Sequence, residues 1–250
     1  DIAALDLSVH GTTTTTNAVM ERNLCRTGLI TTLGFRDVLE LGRRTRPQPY
    51  GMKGDFRPII PRDLRLEIAE RMDASGRVLT PLDEAGLRTA LQELIAKGCE
   101  ALVIHFLHAY ANPAHERAVA ERVRAALPDV AISISHEILP EIKEYPRTST
   151  TVINAYVQPV VRAYITALDA RLRALGIAAG LQLMQSNGGL ASAEFAAAAP
   201  AHIIESGPAA GVVGGAALAR HLNEPRLITF DMGGTTAKAG LVEHGEVLRS

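Results

Sequence analysis

Short apolar runs alternate along the chain with longer segments in which apolar residues recur at helical spacing. Short runs rich in β-branched residues predict buried strands, whereas recurrence every three or four positions predicts amphipathic helices. The predicted strands cover residues 2–9, 26–32, 65–72, 77–79, 101–107, 130–135, 181–185, 227–230 and 237–242. The predicted helices cover residues 14–22, 35–42, 81–97, 113–127, 145–175 and 209–222.

The order of these elements predicts an α/β fold. Strand, helix and strand follow one another from residue 101 to residue 135, which is typical of a parallel α/β unit. A hairpin is predicted for residues 65–79 around the turn sequence DASG. The long helix at 145–175 contains Pro159, which predicts a kink or a break there.

The most informative stretch is 227–242, LITFDMGGTTAKAGLV. Gly233 and Gly234 allow positive φ and lack side chains, so backbone N–H groups can approach a ligand at this turn. Asp231 ends the first strand, where a carboxylate can hold Mg²⁺ or a water molecule beside phosphates. An ordinary β-hairpin with a glycine turn is the alternative. No Walker A sequence occurs in the chain.

A helix rich in small residues precedes this stretch. The sequence ESGP at 205–208 predicts a helix start with Ser206 as the cap and Pro208 in the first turn. Three glycines follow at intervals of four and share one face: Gly207, Gly211 and Gly215. Each glycine costs about 1 kcal/mol relative to alanine, so we expect close packing against another helix, or a ligand, to compensate. A membrane GxxxG helix is the rival, but the apolar segment is too short to span a bilayer.

The small-residue helix followed by a strand, a DxGGT turn and a strand resembles the actin-like ATPase superfamily. The motif SGPAAGV followed by DMGGTT is more specific than this general pattern. It resembles the family of hydantoinase A, 5-oxoprolinase and acetone carboxylase. The resemblance implies that the hairpin is a phosphate loop for ATP with Mg²⁺. The implied nucleotide-binding residues are Gly233, Gly234, Thr235, Thr236, Lys238 and Gly207, with Asp231 as the metal and catalytic residue. Many relatives have Asp where Lys238 stands, and a lysine would instead meet phosphate as a point charge.

The N-terminal sequence HGTTTTTNAVMER resembles the family's HGTT…NAxxER signature. On the residues alone, a capped surface helix explains it, because threonine hydroxyls cap N–H groups at a helix start. The resemblance implies a site with His10 in a catalytic role and with Thr12, Thr13 and Asn17 contacting substrate. The arginine-rich loop after residue 42 is either a solvated loop or an anion surface, and Arg43 and Arg46 are its candidate substrate contacts.

Four histidines cluster near predicted strand ends: His105, His108, His115 and His136. Their spacings match no standard zinc frame, so core or capping roles are expected ahead of a metal site. A second glycine turn, SNGG at 186–189, either faces the nucleotide or is a plain strand-to-helix turn.

The balance of 26 basic and 27 acidic residues argues against a general nucleic-acid or membrane binder. Cys25 and Cys99 are isolated, which suits a reducing cytoplasm, and the sequence contains no signal peptide. The chain has no initial Met, so we expect a fragment of a longer protein.

The resemblance implies the domain plan and the function. Residues 1–225 correspond to most of a first actin-like lobe with an α/β insertion at about 62–140, and residues 226–250 begin the second lobe. The implied enzyme is an ATP-dependent hydrolase of cyclic amides such as hydantoin, N-methylhydantoin or 5-oxoproline, acting with a hydantoinase B-type partner subunit or domain. A ketone carboxylase subunit and a non-catalytic actin-like regulatory module are the alternatives.

Overall fold

The computed structural model describes residues 5–22, 25–43, 50, 57–233 and 237–248. In chain order the strands are β1 (Ser8–His10), β2 (Thr27–Thr32), β3 (Arg65–Ile68), β4 (Arg71–Met72), β5 (Val78–Thr80), β6 (Ala101–His105), β7 (Ala131–Ile134), β8 (Leu181–Met184), β9 (Leu190–Ser192), β10 (Arg226–Met232), β11 (Ala237–Glu243) and β12 (Glu246–Val247). The α-helices are α1 (Thr14–Glu21), α2 (Val38–Leu41), α3 (Glu84–Ala96), α4 (Ala114–Ala126), α5 (Ser135–Ile138), α6 (Glu144–Ala174), α7 (Ala193–Ala198) and α8 (Ser206–Leu222). Short 3-10 helices cover Arg62–Leu64 and Pro200–Ile203.

The chain divides into two compact units. One is the continuous segment 21–159, and the other combines residues 1–20 with residues 160–250. The domain plan implied by the resemblance, with lobes meeting near residue 225, concerns a longer protein and remains a prediction. No helix in the described parts of the chain is long and apolar enough to cross a bilayer.

The continuous unit is built on a four-stranded parallel sheet of order β3-β2-β6-β7. Every residue of β2 and β6 is buried, which is typical of central strands in a parallel sheet. The β6-α4-β7 order confirms the predicted parallel unit. Helix α3 also begins as expected, because the Asp83 carboxylate accepts hydrogen bonds from the N–H groups of Ala85 and Gly86.

One prediction about this unit needs correction. The predicted strand 65–72 is two strands: β3 joins the parallel sheet beside β2, and only β4 pairs with β5 as a hairpin. Local periodicity identifies a strand but not its partner, because pairing depends on residues distant in sequence.

Helix α6 runs from Glu144 to Ala174 without interruption in its assignment, and Pro159 lies inside it. The helix is therefore not broken at Pro159, where a break was one of the two predicted outcomes. A spacing of four places Val160 in line with Val152 and Tyr156, which are buried, but Val160 is 44% exposed. The buried positions around the proline are instead Val157, Val161 and Ile165.

The discontinuous unit contains two small sheets. In the first, β1 pairs in parallel with β8, and β8 pairs in antiparallel fashion with β9. The turn at 186–189 thus joins two strands, and the expected strand-to-helix turn is wrong. In the second sheet, β10 pairs in antiparallel fashion with β11 over seven residue pairs, which confirms the predicted hairpin. Helix α8 packs on this hairpin through Ala216, Ala219 and Val242.

Candidate functional site

A cavity of about 430 Å³ lies beside the hairpin in the discontinuous unit. The first turns of α8 form one side of it, and β10 and β11 form another. This volume is within the range of cavities that hold small ligands. The residues lining it are Ser186, Glu205, Pro208, Ala209, Gly211, Val212, Thr229, Phe230, Asp231, Lys238, Ala239 and Gly240.

The hairpin brings two of the predicted nucleotide residues together. In the antiparallel register, Asp231 lies directly opposite Lys238. Thr229 lies opposite Gly240, two positions along the hairpin from Asp231 and Lys238. The two pairs share a face of the hairpin, because strand side chains alternate between faces. Both charged residues line the cavity, so an acid and a base converge on it from adjacent strands. The predicted turn residues Gly234, Thr235 and Thr236 lie outside the described residues.

Glu205 is a third charged residue of the cavity, and its carboxylate binds Lys238. The distance from Lys238 Nζ to Glu205 Oε1 is 2.7 Å. The Glu205 side chain is 47% exposed and that of Lys238 is 22% exposed. Pairs with this much exposure contribute about 1 kcal/mol or less to stability.

The backbone of Glu205 is strained. Its φ of 65° places it in the left-handed region, which costs a residue with a side chain about 1–2 kcal/mol. Two contacts hold it there: its N–H donates to Thr16 Oγ1 at 3.1 Å, and its C=O accepts from Ala209 N–H at 3.2 Å. Strain of this kind, maintained by surrounding contacts, is found most often at functional sites.

Ser206 does not cap α8, which corrects the sequence-based expectation. Glu205 occupies the cap position, and the Ser206 side chain instead bridges to a segment 194 residues away. Its hydroxyl accepts from Thr12 N–H and donates to Thr12 C=O, both at 3.0 Å. Ser206 is almost fully buried, so these bonds fix the start of α8 against the loop after β1.

The three glycines on one face of α8 lie in three different environments. A Cβ on Gly207 would lie 3.7 Å from the Thr13 methyl group, and one on Gly11 would lie 3.5 Å from Gly207 Cα. A Cβ on Gly215 would overlap the side chain of Thr229. A Cβ on Gly211 would have no atom of the described residues within 4 Å, because Gly211 faces the cavity. The expected packing against another helix is therefore wrong, since strand β10 is the neighbour at Gly215 and open space lies at Gly211.

The histidine and threonines of the N-terminal signature lie in the same unit, but they are not among the residues that line the cavity. His10 Nε2 shares a hydrogen bond with the Tyr164 hydroxyl at 2.7 Å, and burial lowers the pKa of His10. Thr12 Oγ1 accepts from Thr14 N–H at 3.1 Å, which stabilises the start of α1. The catalytic role of His10 and the substrate roles of Thr12, Thr13 and Asn17 remain predictions.

The structure says less about the remaining predicted site residues. Arg43 is exposed just after α2, in the continuous unit, and Arg46 lies outside the described residues. Gly233 follows β10 directly and is exposed.

The four histidines of the continuous unit take structural partners. His105 is buried, and its Nε2 accepts a hydrogen bond from Arg147 Nε at 3.2 Å. Burial, and then the Arg147 charge, lower the pKa of His105 to about 3. His115 Nδ1 and His136 Nδ1 pair with Glu70 and Glu116 at 2.8 and 2.7 Å. His108 Nδ1 shares a hydrogen bond with the Tyr110 hydroxyl at 3.2 Å. Among the described residues, no three His, Cys, Asp or Glu side chains are grouped closely enough to hold a metal ion.

The donor set around the cavity fits Mg²⁺ that arrives with a nucleotide. Glu205 is paired with Lys238, whereas no salt bridge is found for Asp231 within the described residues. Mg²⁺ usually takes one or two protein carboxylates and completes its shell with phosphates and water. One carboxylate at Asp231 is enough for that arrangement.

Sequence reasoning missed Glu205, Gly240 and Val212. Gly240 allows close packing of the hairpin on α8, since a Cβ there would overlap the Val212 methyl groups. A glycine in the middle of a strand is a usable signal of such an approach. The role of Glu205 had no local signal, because it depends on a left-handed backbone and on an ion pair with a residue in another element.

Two family models cover most of the chain. The hydantoinase/oxoprolinase N-terminal region matches residues 1–127, and the hydantoinase/oxoprolinase model matches residues 147–250. The alpha subunit of caprolactamase from Pseudomonas jessenii is 37% identical over 98% of this chain, which covers 36% of that protein. The chain thus spans about a third of the length of this relative.

Two solved structures share the fold. A nucleotide-free structure of acetone carboxylase, described in connection with ATP-dependent acetone carboxylation, matches with a TM-score of 0.88 and 30% identity. That match covers 98% of this chain and 36% of the other. The ATP-dependent caprolactamase from Pseudomonas jessenii matches with a TM-score of 0.81 and 37% identity, over 96% and 35% of the two chains. These matches confirm the predicted fold class, α/β of the actin-like ATPase type. The chain belongs to the hydantoinase/oxoprolinase family.

Proposed function

We propose that this chain is the nucleotide-binding part of an ATP-dependent enzyme that opens cyclic amides. The observation that carries the proposal is the cavity between α8 and the hairpin, where Asp231 and Lys238 converge beside the glycine-lined start of a helix. The start of a helix favours anions, because its unpaired N–H groups and its dipole present positive charge. A phosphate chain is the anion that the family's ATP dependence suggests.

In the proposed function, the residues of the cavity act by position and charge. The Lys238 ammonium pairs with phosphate oxygens, and Gly211 keeps the wall beside them free of side-chain atoms. Asp231 is the carboxylate that would hold Mg²⁺, whose charge offsets that of the phosphates. An amide is a poor electrophile, and phosphorylation of its oxygen by ATP makes the carbonyl carbon reactive enough for water to attack. This activation is the chemical reason for using ATP in the reaction.

The substrate class follows from the relatives. Caprolactamase is named for a lactam, which is a cyclic amide, and the family description names hydantoinase and oxoprolinase. We propose a hydantoin, N-methylhydantoin or 5-oxoproline type of substrate. The caprolactamase relative is named as a subunit, so we also propose a second subunit or domain of hydantoinase B type.

A ketone carboxylase is the second candidate function. The specific observation in its favour is the acetone carboxylase structure, which matches nearly the whole chain. Both candidates share the proposed nucleotide site and differ in the carbonyl compound that accepts the phosphoryl group.

The test uses the full-length protein with its partner subunit. ATP hydrolysis is measured with a panel of cyclic amides, and separately with acetone or acetophenone and bicarbonate. Ring-opened product identifies an amidase, carboxylated product identifies a carboxylase, and no substrate-stimulated ATP hydrolysis contradicts both.

The proposed nucleotide site has its own test. Asp231→Ala is expected to abolish ATP turnover while the protein remains folded, because an exposed strand-end carboxylate packs against little. Glu243→Ala is the matched control, since Glu243 is an exposed carboxylate at the opposite end of the same hairpin. Unchanged ATP turnover in Asp231→Ala would contradict the assignment.

A further inference from the structure

We infer that Glu205 is a positioning residue, whose carboxylate holds the Lys238 ammonium where it meets the phosphates of the nucleotide. The inference rests on the proposed function, because it requires phosphate in the cavity. It assigns a role to a carboxylate that would otherwise oppose anion binding at that place.

The first argument concerns the competition for Lys238. Asp231 lies directly opposite Lys238 in the hairpin, and residues placed in this way form cross-strand ion pairs readily. Within the described residues, however, the ion pair of Lys238 is with Glu205, at 2.7 Å. Glu205 thereby withdraws the ammonium from Asp231 and leaves that carboxylate available to a metal ion.

The second argument concerns how firmly Glu205 is held. Its N–H is bound by Thr16 Oγ1, and the next residue, Ser206, is fixed by two hydrogen bonds to the backbone of Thr12. These contacts keep Glu205 in a left-handed conformation that a residue with a side chain disfavours. A lysine has a flexible four-carbon stem, so a fixed carboxylate is an effective way to direct its ammonium.

The third argument comes from the charges that line the cavity. Two carboxylates and one ammonium face it, so without a metal ion the lining carries a net negative charge. A carboxylate that acted only through its own charge would repel phosphate. A carboxylate that acts through Lys238 improves phosphate binding, and the two roles therefore predict effects of opposite sign.

The experiment measures the Kd of a non-hydrolysable ATP analogue on the full-length protein by calorimetry. Glu205→Gln removes the charge and keeps the shape, and it is expected to raise the Kd about five-fold. A carboxylate that merely repels phosphate predicts a lower Kd instead. Glu246→Gln is the matched control, because Glu246 is an exposed glutamate of β12 that does not line the cavity. It is expected to leave the Kd unchanged.

A double-mutant cycle then tests whether Glu205 acts through Lys238. Lys238→Met is expected to raise the Kd about ten-fold, and Lys238→Arg is expected to restore part of the loss. In the Lys238→Met background, Glu205→Gln is expected to leave the Kd unchanged or to lower it, since no ammonium remains to position. An equal rise in both backgrounds would overturn the inference.

The outcomes separate the two proposals. If the wild-type protein does not bind the analogue, the proposed function fails and this inference fails with it. If the wild-type protein binds the analogue, and Glu205→Gln binds it equally well or more tightly, the inference alone is overturned. Melting temperatures of all variants verify that each one is folded.

Discussion

Among the described residues, two clusters of acidic and basic side chains are built in opposite ways. In the continuous unit, Glu116 is completely buried, and its two oxygens accept four hydrogen bonds: from Phe106 N–H, Ser135 Oγ, His136 N–H and His136 Nδ1. In the discontinuous unit, Glu205, Lys238 and Asp231 line a cavity, and Glu205 is about half exposed.

The comparison shows that a strongly perturbed pKa need not mark the candidate site. The buried cluster extends through Phe106, whose C=O accepts from Arg147, to His105, whose pKa is about 3. These buried groups hydrogen-bond to one another. A satisfied buried network fixes the arrangement of strands and helices. The open cluster has capacity left for a ligand. Four experiments test this contrast.

The largest effect on stability is expected for Arg147→Met. Arg147 is fully buried, and it donates to His105 Nε2, to the carbonyl oxygens of Phe106 and Glu141, and to the Glu144 carboxylate. Its loss removes the Arg147 donors from two buried acceptors, His105 Nε2 and the Phe106 carbonyl oxygen, and removes the ion-pair partner of the partly buried Glu144 carboxylate, which together cost about 3–5 kcal/mol. Urea unfolding of the wild type and of Arg147→Met measures this loss in the free energy of unfolding.

The control for that experiment is Arg173→Met in the same helix. Arg173 is 68% exposed and pairs with Asp169 one turn away. Its replacement is expected to leave the unfolding midpoint nearly unchanged. Equal losses of stability for the two variants would contradict a structural role that is special to the buried cluster.

Acid is expected to destabilise the continuous unit through His105. The pKa of His105 is lowered from 6.5 in the unfolded chain to about 3 in the folded state, first by burial and then by the Arg147 charge. The unfolded chain therefore binds a proton between these values that the folded chain does not. Stability is full above pH 6.5 and falls by about 1.4 kcal/mol for each pH unit below it.

The measurement compares unfolding free energies of the wild type and His105→Gln at pH 7.5, 6.5 and 5.5. Glutamine can still accept a hydrogen bond from Arg147 but does not titrate. The variant is expected to be less stable at pH 7.5 and to show a shallower slope below pH 6.5. Parallel slopes for the two proteins would assign the acid sensitivity to other groups.

A smaller effect, of opposite sign, is expected for Gly211→Ala. The added Cβ meets no atom within 4 Å in the part of the chain that the structure describes, so the gain in helix propensity is kept and the protein is stabilised by about 1 kcal/mol. Gly215→Ala is the matched control in the same helix, and it is expected to destabilise because its Cβ overlaps Thr229. Thermal unfolding distinguishes the two. A destabilised Gly211→Ala would contradict the open surroundings described for Gly211.

The larger Gly211→Val extends the same test to function. Valine places two methyl groups toward the cavity, so ATP affinity is expected to fall even where the protein remains folded. Calorimetric ATP titration of the Ala and Val variants gives the comparison. Full ATP affinity in Gly211→Val would place the nucleotide elsewhere.

The smallest effect on stability is expected for Asp231→Asn. Asp231 is exposed on its strand, so the unfolding free energy should change by about 0.5 kcal/mol or less. A fall in stability comparable to that of Arg147→Met would mean that the two clusters do not differ in the way described.

The sequence predicted the local elements well and the long-range contacts poorly. The hairpin β10–β11 and the β6-α4-β7 unit follow directly from alternation, apolar runs and helical spacing. Asp231 and Lys238 were predicted from the resemblance of their hairpin to a family phosphate loop, and the structure places them opposite each other. Their shared cavity was only partly foreseeable, because its other wall comes from α8 and from the turn at Ser186.

What the sequence could not give depends on residues far apart along the chain. Ser206 has the composition of a helix cap, yet its hydroxyl is used by Thr12, and no local rule favours that bond over capping. The hydrogen bond from Arg147 to His105, 42 residues away, could not be predicted from the helical periodicity around Arg147. Tertiary contacts of this kind override local preference.

The division of the chain also has a consequence for the order of events during synthesis. Residues 21–159 are contiguous, so this unit can fold as soon as the ribosome releases it. Strand β1, by contrast, has to wait for β8, its parallel neighbour, and Thr12 has to wait for Ser206. Until then β1 lacks the strand neighbour that it has among the described residues, and exposed strand edges of this kind favour aggregation. The cavity-bearing unit is therefore expected to be the last part of this chain to fold.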